Sequence, residues 1–566
     1  MAADGRGMRF IEWLQSVAVA GGSKERRVYH GRAGPCAGIL AASRPRRSRP
    51  RGSTALLARI RSLALHGLDS IPVLVEVSIT NGLPAFHVVG LPDAAVRESR
   101  ERVVSALRES GFQFPLRRIT VNLAPAHQRK EGSTFDLPIA LAVLAASGQL
   151  PAQRMEEWIV VGELALDGTL RRTRGAMALA EGARREGAAA IVVPAGNAGE
   201  AALAGALPVF AAANLLAVAD WVRGNEAPRA FDGAAPARRT PVAAGDDAPL
   251  DAIAGQERAK RALEAAAAGG HNLLFVGPPG AGKTLLARAL PSILPPLSPA
   301  EAIERTRIAS VAGQFGGDSA ALLTTRPFRA PHASISPSAL LGGGPVPRPG
   351  EITLAHHGVL FLDELPEFRR DALEALRLPL EEHAITVARG TTSVRFPAAF
   401  QLVAAMNPCP CGFRGDSRRS CRCSPTAIAR YRGRLSGPLL DRIDVRLEVP
   451  PVHARELAAR RASLLRDETD TARARVLAAR ERQEQRTGRL GVASTNTRLT
   501  PAELERAAPL DETTRSLLAA AVAKFGLSAR AYHRAWRLAR TVADLSGEDA
   551  IGAGAVAEAL SMRGEG

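Results

Sequence analysis

One stretch restricts the fold of this chain more than any other. An apolar run, NLLFVG, leads straight into a glycine-rich loop and then into a helical pattern, LLARAL. The loop has the pattern G-x-x-x-x-G-K-[ST] between a strand and a helix, which is the context in which this pattern binds phosphate. Its residues are Gly277, Pro278, Pro279, Gly280, Ala281, Gly282, Lys283 and Thr284. Backbone N–H groups of such a loop face phosphate oxygens, the lysine reaches the β- and γ-phosphates, and the threonine can hold magnesium.

A second motif supplies two acids. About eighty residues after the glycine-rich loop, the apolar run GVLFL ends in Asp363 and Glu364. Ligands of α/β sheets bind at the carboxyl ends of the strands, and an apolar strand by itself has no need of two acids. Asp363 is predicted to hold Mg²⁺ and Glu364 to polarise an attacking water, the structural alternative being solvated acids that cap a strand. Together the two motifs predict an ATPase that uses ATP and Mg²⁺.

Composition and hydrophobic periodicity divide the 566 residues into domains. Apolar residues make up 46% and charged residues 23%, as in globular proteins. No run approaches the roughly eighteen apolar residues of a membrane span, and no signal peptide opens the chain, so we expect a cytoplasmic protein. The predicted divisions are a basic, disordered extension at 1–53, an α/β domain at 54–223, a linker at 224–249, a second α/β domain at 250–450 and a helical domain at 451–566.

The charge of the chain hints at a nucleic-acid partner without establishing one. The net charge is +18, of which residues 1–52 supply +8. A basic arm can hold nucleic acid, but it can also be an inert tail or the product of a translation start set too far upstream. Arginine outnumbers lysine 69 to 5, a bias typical of GC-rich coding.

Four of the five cysteines lie in one short stretch, as Cys409-Pro-Cys411 and Cys421-Arg-Cys423. Clustered cysteines in a cytosolic protein favour metal or redox chemistry over structural disulfides, and four thiolates can hold zinc tetrahedrally. Because C-x-C pairs are tighter than the usual C-x2-C pairs, a reduced metal-free loop and a redox-labile loop remain alternatives.

Beyond these motifs, the chain resembles a known family of AAA+ ATPases. It is similar to the magnesium-chelatase-like group and, most closely, to the ComM/YifB family. The resemblance implies an α/β fold with a P-loop AAA+ core and a helical lid, preceded by a domain like that of Lon protease. The stretches that carry it include VSITNGLPAFHVVGLPDAAVRESRERV, RITVNLAPAHQRKEGSTFDLPIALAVLAASG, IAGQERAKRALEAAAAGGHNLLFVGPPGAGKT, RPFRAPHASISPSALLGGG, PGEITLAHHGVLFLDELPEF, AAMNPCPCG and RLSGPLLDRIDV.

The resemblance also implies roles for further residues in a ring, expected to be a hexamer, with ATP sites between neighbouring subunits. Asn407 matches the polar sensor that positions water together with the catalytic acid. Arg442 matches the arginine finger that reaches the neighbour's γ-phosphate, a task suited to a permanently charged, planar guanidinium. The residues alone favour a different interpretation of Arg442, an ion pair within the chain with Asp441 or Asp444. Arg530 matches the second sensor.

Two other segments have roles implied by the family. Residues 253–256, ending in Gln256, would lie beside the adenine. A strand–turn–strand pattern at 381–400 resembles a hairpin that projects into the pore of related rings and can touch DNA; Arg389 lies at its turn. An exposed arginine at such a turn can equally be only solvated. One departure from the family is Ala333, where a second histidine usually follows His332, and it leaves the role of that loop open.

ComM-like proteins are associated with DNA branch migration in natural transformation, so the resemblance implies a DNA translocase or helicase. The Lon-like domain raises proteolysis as a rival activity, which requires a serine nucleophile and a lysine base. The alignment implied by the resemblance puts Thr134, beside Ser133, at the serine position and Met177 at the lysine position, and a thioether cannot take a proton. A chelatase-type subunit is the other enzymatic rival, and a ring that remodels proteins is a further alternative.

Overall fold

The structure of the protein, a computed structural model, describes residues 56–130, 132–205, 207–232, 248–315, 321–344, 347–389, 392–416, 419–452, 467–491, 495–525 and 528–563. The predicted basic extension and most of the predicted linker lie outside these ranges. Within them, no helix combines the length and the apolar character that crossing a bilayer requires.

The N-terminal domain is a mixed sheet with helices packed against it. Its strands are β1 (Leu56–His66), β2 (Asp69–Thr80), β3 (Ala85–Val89), β4 (Arg118–Ala124), β5 (Trp158–Val160), β6 (Glu163–Leu164), β7 (Leu170–Arg171), β8 (Ala190–Pro194) and β9 (Val209–Ala212). Its helices are α1 (Ala94–Arg97), α2 (Ser99–Glu109), α3 (Asp136–Ala146), α4 (Ala176–Arg185), α5 (Ala198–Ala202) and α6 (Leu215–Arg223).

The strand order in this sheet is β3-β4-β2-β1-β5-β8-β9, with β1 antiparallel to β2 and parallel to β5. The sequence explains β2 directly, since Val73, Val75, Val77 and Ile79 alternate with half-buried positions and are buried on one face. That face packs against α3, whose residues are almost all apolar and buried because the helix lies inside the core.

The second domain contains a parallel sheet, as the strand–loop–helix motif predicts. Its strands are β10 (Leu273–Val276), β11 (Phe328–Arg329), β12 (Gly342–Gly343), β13 (Arg348–Pro349), β14 (Val359–Leu362), β15 (Ala384–Arg389), β16 (Thr392–Pro397), β17 (Gln401–Met406) and β18 (Val445–Glu448). Its helices are α7 (Glu257–Gly269), α8 (Lys283–Ile293), α9 (Pro299–Ala312), α10 (Pro337–Leu341), α11 (Glu351–Leu354), α12 (Arg370–Ala375), α13 (Pro379–Glu382), α14 (Pro425–Arg432) and α15 (Gly437–Leu440).

The order of the main sheet, β11-β14-β17-β10-β18, positions the site. Every residue of β14 and β17 is buried, which is typical of parallel strands covered on both faces. Because the strands are parallel, the segments that follow β14, β17 and β10 meet at one edge of the sheet. The α/β fold expected from the sequence is therefore confirmed.

The C-terminal part is helical. Its described helices are α16 (Glu468–Leu490), α17 (Pro501–Ala507), α18 (Glu512–Phe525), α19 (Ala529–Leu545) and α20 (Ala553–Ser561). The apolar face of α19, which includes Trp536, shares a continuous core with α7 and β10. The helical part is thereby joined to the domain that carries the glycine-rich loop.

Candidate ATP-hydrolysis site

The glycine-rich loop connects β10 to α8 and takes a backbone conformation that favours glycine. Gly280 and Gly282 have φ angles of 76° and 87°, in the left-handed region that side chains disfavour. Helix α8 begins at Lys283, directly after the loop. Phosphate groups of a nucleotide would therefore meet both free backbone N–H groups and the positive end of a helix dipole.

Lys283 points back into its own loop. Its side chain is 8% exposed, and its Nζ donates to the carbonyl oxygens of Gly277 at 2.7 Å and Pro278 at 3.0 Å, and to Oδ1 of Asn407 at 3.2 Å. Burial lowers the pKa of Lys283, and the nearby Asp363 and Glu364 carboxylates oppose that shift. The ammonium group is thus placed between the loop and the predicted sensor, within reach of any phosphate held there.

Thr284 and Asp363 form the predicted magnesium pair. Oγ1 of Thr284 donates to Oδ2 of Asp363 at 2.9 Å, although the two residues belong to different elements, α8 and the turn after β14. A hydroxyl and a carboxylate are hard oxygen ligands, and Mg²⁺ is commonly bound by one or two carboxylates together with substrate phosphates. The two side chains therefore fit the ion that the sequence predicts.

Glu364 is held in a strained backbone turn directly after Asp363. Its φ angle is 52°, which is unusual for a residue other than glycine, and its amide donates to Oδ1 of Asp363 at 2.9 Å. Such conformations cost about 1–3 kcal/mol each and concentrate at functional sites. The turn leaves the Glu364 side chain exposed while that of Asp363 is half-buried beside Thr284.

A cavity of about 340 Å³ opens beside these acids. Thr284, Asp363 and Glu364 line one side of it, and the segment 330–333, which contains Ala333, lines another. The sequence left the role of that segment open, and the structure places it against the candidate catalytic acids. No local sequence signal indicated this position, because it depends on how a loop distant in sequence packs on the sheet edge.

Gln256 lies near both the glycine-rich loop and the end of β18. Its backbone is left-handed, with a φ angle of 60°, and its Nε2 donates to the carbonyl oxygens of Pro450 at 2.6 Å and Ala281 at 3.4 Å. The predicted contact with adenine is not tested by this geometry and stays a prediction.

The arginines predicted to act on the nucleotide are not gathered at the acids. Arg442 is only 5% exposed; its guanidinium donates to the carbonyl oxygen of Pro438 at 2.5 Å and pairs with Glu381 at 2.5 Å. Its ion pair within the chain is therefore with Glu381, not with Asp441 or Asp444; Asp444 pairs with Arg534 at 2.7 Å.

Two other predicted residues lie elsewhere. Arg530 is exposed in the first turn of α19. Arg389 is the last residue of β15, and its side chain and the turn that follows lie outside the described residues. The structure leaves the roles predicted for both arginines untested.

The four clustered cysteines converge. Their sulfur atoms all lie within 4.8 Å of one another, and Cys409, Cys411 and Cys421 are separated pairwise by 3.4 to 3.6 Å. The amide of Cys411 donates to the sulfur of Cys423 at 3.4 Å. Backbone hydrogen bonds, from Phe413 first, lower the pKa of Cys411 to about 6.

The N-terminal domain does not present a lysine base at the position expected for proteolysis. Met177, which occupies it, is fully buried in α4. Lys130 is also fully buried and donates to the carbonyl oxygen of Pro125, while the hydroxyl of Ser133 donates to Glu163. The predicted lack of Lon-type catalysis in this domain stays a prediction.

The fold and the site define a class of protein: a P-loop ATPase of the AAA+ type, built like the magnesium-chelatase ATPase subunit. Three family models match the chain. They are magnesium chelatase, subunit ChlI, over residues 249–457, subunit ChlI of Mg-chelatase over 75–197, and magnesium chelatase, subunit ChlI C-terminal, over 466–563.

Relatives narrow this class to one family. The chain is 44% identical to an uncharacterized protein YifB from Salmonella typhimurium over 512 residues, which are 90% of this chain and 97% of that protein. It is also 44% identical to the competence protein ComM of Haemophilus influenzae over 513 residues, again 90% and 97% of the two chains. The magnesium-chelatase 38 kDa subunit of Rhodobacter capsulatus is more distant, with 29% identity over 226 residues, 37% of this chain and 60% of that one. The chain belongs to the ComM/YifB family.

Proposed function

We propose that the chain is a ring-forming, magnesium-dependent ATPase that couples ATP hydrolysis to movement along DNA, as a branch-migration helicase does. The observation that carries the ATPase step is the meeting of three groups at adjacent strand ends: Lys283 after β10, Asn407 after β17, and the Asp363–Glu364 pair after β14. They supply a phosphate-binding cation, a water-orienting amide and the acids.

Each of these groups has a distinct task in the proposed reaction. Lys283 exchanges its carbonyl partners for phosphate oxygens and neutralises charge that develops during transfer. Thr284 and Asp363 would hold Mg²⁺, which would supply positive charge that stabilises the transferring phosphate. Glu364, exposed toward the cavity, accepts a proton from the attacking water, and Asn407 orients that water.

The ring enters the proposal through Arg442. In a hexamer with shared sites, Arg442 would leave Glu381 and stabilise the transferring phosphate of the neighbouring subunit. Arg530 is the proposed second sensor and Gln256 the proposed adenine contact.

DNA is the proposed partner because of three supporting facts. One relative is named a competence protein. The chain carries a net charge of +18. The β15–β16 hairpin ends beside Arg389, which would contact phosphates of a strand in the pore. We propose a cytoplasmic location for this work.

Zinc is the proposed second metal. Zn–S bonds of about 2.3 Å in a tetrahedron place sulfur atoms about 3.8 Å apart, whereas a disulfide joins them at about 2.05 Å. The observed separations of 3.4 to 3.6 Å fit the tetrahedral arrangement. One ion among Cys409, Cys411, Cys421 and Cys423 satisfies all four thiolates.

The experiment that tests the proposed function measures ATP hydrolysis without DNA and with single-stranded, duplex and four-way-junction DNA, at two salt concentrations. We expect stimulation that is strongest on junctions and weaker at high salt, because phosphate contacts release counterions. Lys283→Ala, expected to abolish turnover, is the inactive reference, and Lys524→Ala is its exposed matched control.

A hairpin variant separates the DNA step from hydrolysis. Arg389→Ala is expected to reduce the DNA stimulation while leaving DNA-free turnover intact, and Arg395→Ala removes the same charge from the same hairpin away from its tip. A rate of ATP hydrolysis that no DNA changes would contradict the DNA proposal. It would favour the alternative of a ring that remodels proteins.

A further inference from the structure

The four cysteines lie at the two ends of one loop, and each end is next to an element of the ATP site. Cys409 and Cys411 follow Asn407 at the end of β17, and Cys421 and Cys423 precede Ser424. Ser424 caps α14, since its hydroxyl accepts from the amide of Ala427 at 3.2 Å. An ion bound by all four sulfurs would therefore tie the end of β17 to the start of α14.

The loop between the two cysteine pairs packs against the glycine-rich loop. Gly412 has a φ angle of 85°, and a Cβ atom at that position would lie 2.8 Å from Cδ of Pro279 and 3.9 Å from Cγ of Asn407. Arg414 lines a cavity of about 400 Å³ together with Gly277 and Pro278. The cysteine loop is thus in direct contact with the phosphate-binding segment.

Helix α14 also contacts Asn407. Tyr431, only 7% exposed, accepts a hydrogen bond from the backbone of Asn407 at its phenolic oxygen. Burial raises the pKa of Tyr431, which keeps the phenol neutral and its oxygen available as an acceptor. The position of Asn407, and with it the partner of the Lys283 ammonium, therefore depends on both segments that the four cysteines join.

We infer that the metal bound by Cys409, Cys411, Cys421 and Cys423 is a positioning element of the ATP site that sets the rate of hydrolysis through Asn407. The inference rests on the proposed zinc site and adds its regulatory consequence. Without the ion, the two ends of the segment from Pro408 to Cys423 are no longer cross-linked, so the segment gains conformational freedom. The glycine-rich loop, Lys283 and Thr284 remain in place, so nucleotide binding is largely kept while the orientation of water is lost.

The test removes two ligands and measures metal and kinetics together on the full chain. Wild type is expected to contain one zinc per chain by elemental mass spectrometry, and Cys421→Ser combined with Cys423→Ser is expected to contain none. We expect kcat to fall about 10- to 100-fold, the cost of a small misplacement of a catalytic group, with KM for ATP changed less than about threefold. Cys36→Ser is the matched control and keeps both zinc and turnover.

A double-mutant cycle shows whether the metal acts through the sensor. Asn407→Ala in the zinc-free variant is expected to cause little further loss, because both changes remove the same interaction. Multiplicative losses would overturn the inference. Loss of zinc with unchanged kcat would overturn it while leaving the zinc site intact, and wild type without metal but with full turnover would overturn both.

Reversible removal of zinc from the wild-type protein tests the same inference if the serine variant does not fold. Zinc is stripped from folded wild type with a thiol-compatible chelator, and ATP turnover is measured before and after Zn²⁺ is returned. Recovery with Zn²⁺ but not with added Mg²⁺ supports the inference, and turnover that never falls contradicts it. The Lys283→Ala reference keeps the ATPase assignment separate, since it lacks turnover in every metal state.

Discussion

At the scale of single residues, a change at Glu364 can separate ATP binding from ATP hydrolysis. Its exposed side chain extends from a strained turn and is not a partner in the hydrogen bonds of the Lys283 ammonium or in the bond between Thr284 and Asp363. Glu364→Gln is therefore expected to keep ATP binding and to lower hydrolysis by at least about 100-fold, the usual contribution of a general base. Binding of a fluorescent ATP analogue and release of phosphate measure the two steps. Glu367→Gln, three residues along, is the control, and turnover retained by the Glu364 variant would remove Glu364 from the mechanism.

Arg442 poses the residue-scale question of whether the site is shared between subunits. In the single chain it is buried and paired with Glu381. If it acts on a neighbour, Arg442→Ala and Lys283→Ala are each inactive alone, but mixed rings regain turnover. Recovery arises because a site with an intact glycine-rich loop then meets an intact arginine.

Phosphate release from an equal mixture of the two variants tests whether Arg442 acts on a neighbouring subunit. Gel filtration in ATP confirms that mixed rings form. Mixed rings without recovery would restrict Arg442 to its ion pair within the chain. Glu381→Ala, which removes the exposed carboxylate that pairs with the buried Arg442 guanidinium, reports how much of the Arg442→Ala effect comes from loss of that pair alone.

At the scale of elements, the turn before β14 contains a pair of histidines that couples stability to pH. His356 is 4% exposed; its Nδ1 accepts from the amide of Ala399 at 2.9 Å and its Nε2 contacts Glu304 at 3.0 Å. Burial first, and then the neighbouring His357, lower the pKa of His356 to about 4, while Glu304 opposes the shift and Arg498 adds to it. Because Nδ1 is an acceptor, the neutral ring carries its proton on Nε2, which favours a hydrogen bond to Glu304 over metal ligation.

The sign of the pH effect follows from this lowered pKa. The folded chain binds the proton more weakly than the unfolded chain, whose histidine has its ordinary pKa of about 6.5. Stability is therefore lost as the pH falls from about 6.5 to about 4, by at most about 3 kcal/mol. His356→Asn keeps an acceptor for the Ala399 amide and should flatten the pH dependence of the thermal midpoint. His87→Asn, at an exposed strand position, should not, and equal pH dependence in both variants would contradict the assignment.

The elements also show what the sequence could and could not predict. The strand–loop–helix around Lys283, the acids after β14 and the clustered cysteines were predictable because each is a contiguous pattern with its own chemistry. The contact of Tyr431 with Asn407, the pairing of Arg442 with Glu381 and the position of the segment 330–333 were not. These contacts join residues far apart in sequence, and tertiary packing, not local pattern, brings them together.

At the scale of the whole molecule, the N-terminal domain is docked on the ATPase domain through a buried carboxylate. Glu200, only 4% exposed in α5, accepts from the hydroxyl of Ser310 in α9 at 2.6 Å and from the amide of Ala176 at 3.0 Å. The amide of Gly175 donates to the carbonyl oxygen of Ser310 at 3.0 Å. Glu200 therefore lies at the centre of one group of polar contacts between the two domains.

An apolar contact beside this carboxylate connects the docking to the hairpin. Val394 and Phe396 of β16 are buried in one cluster with Leu68, in the turn between β1 and β2, and with Ala178 of α4. The base of the proposed DNA-contacting hairpin is thus packed against the N-terminal domain. Any nucleotide-driven movement of the hairpin must move this domain or break the cluster.

Glu200→Gln tests whether this docking matters for the motor. The variant replaces one carboxylate oxygen by an amide group that faces Asn197 and Arg172, both of which present donors to Glu200. We expect the free energy of unfolding to fall by about 1–3 kcal/mol, the usual cost of leaving a buried polar group unsatisfied. We also expect faster hydrogen exchange at the Gly175 amide. Glu186→Gln, at an exposed position, is the control. Because the hairpin base packs on the same surface, stimulation by DNA should fall more than DNA-free turnover, and equal falls in the two rates would show that the docking supports the ATP site alone.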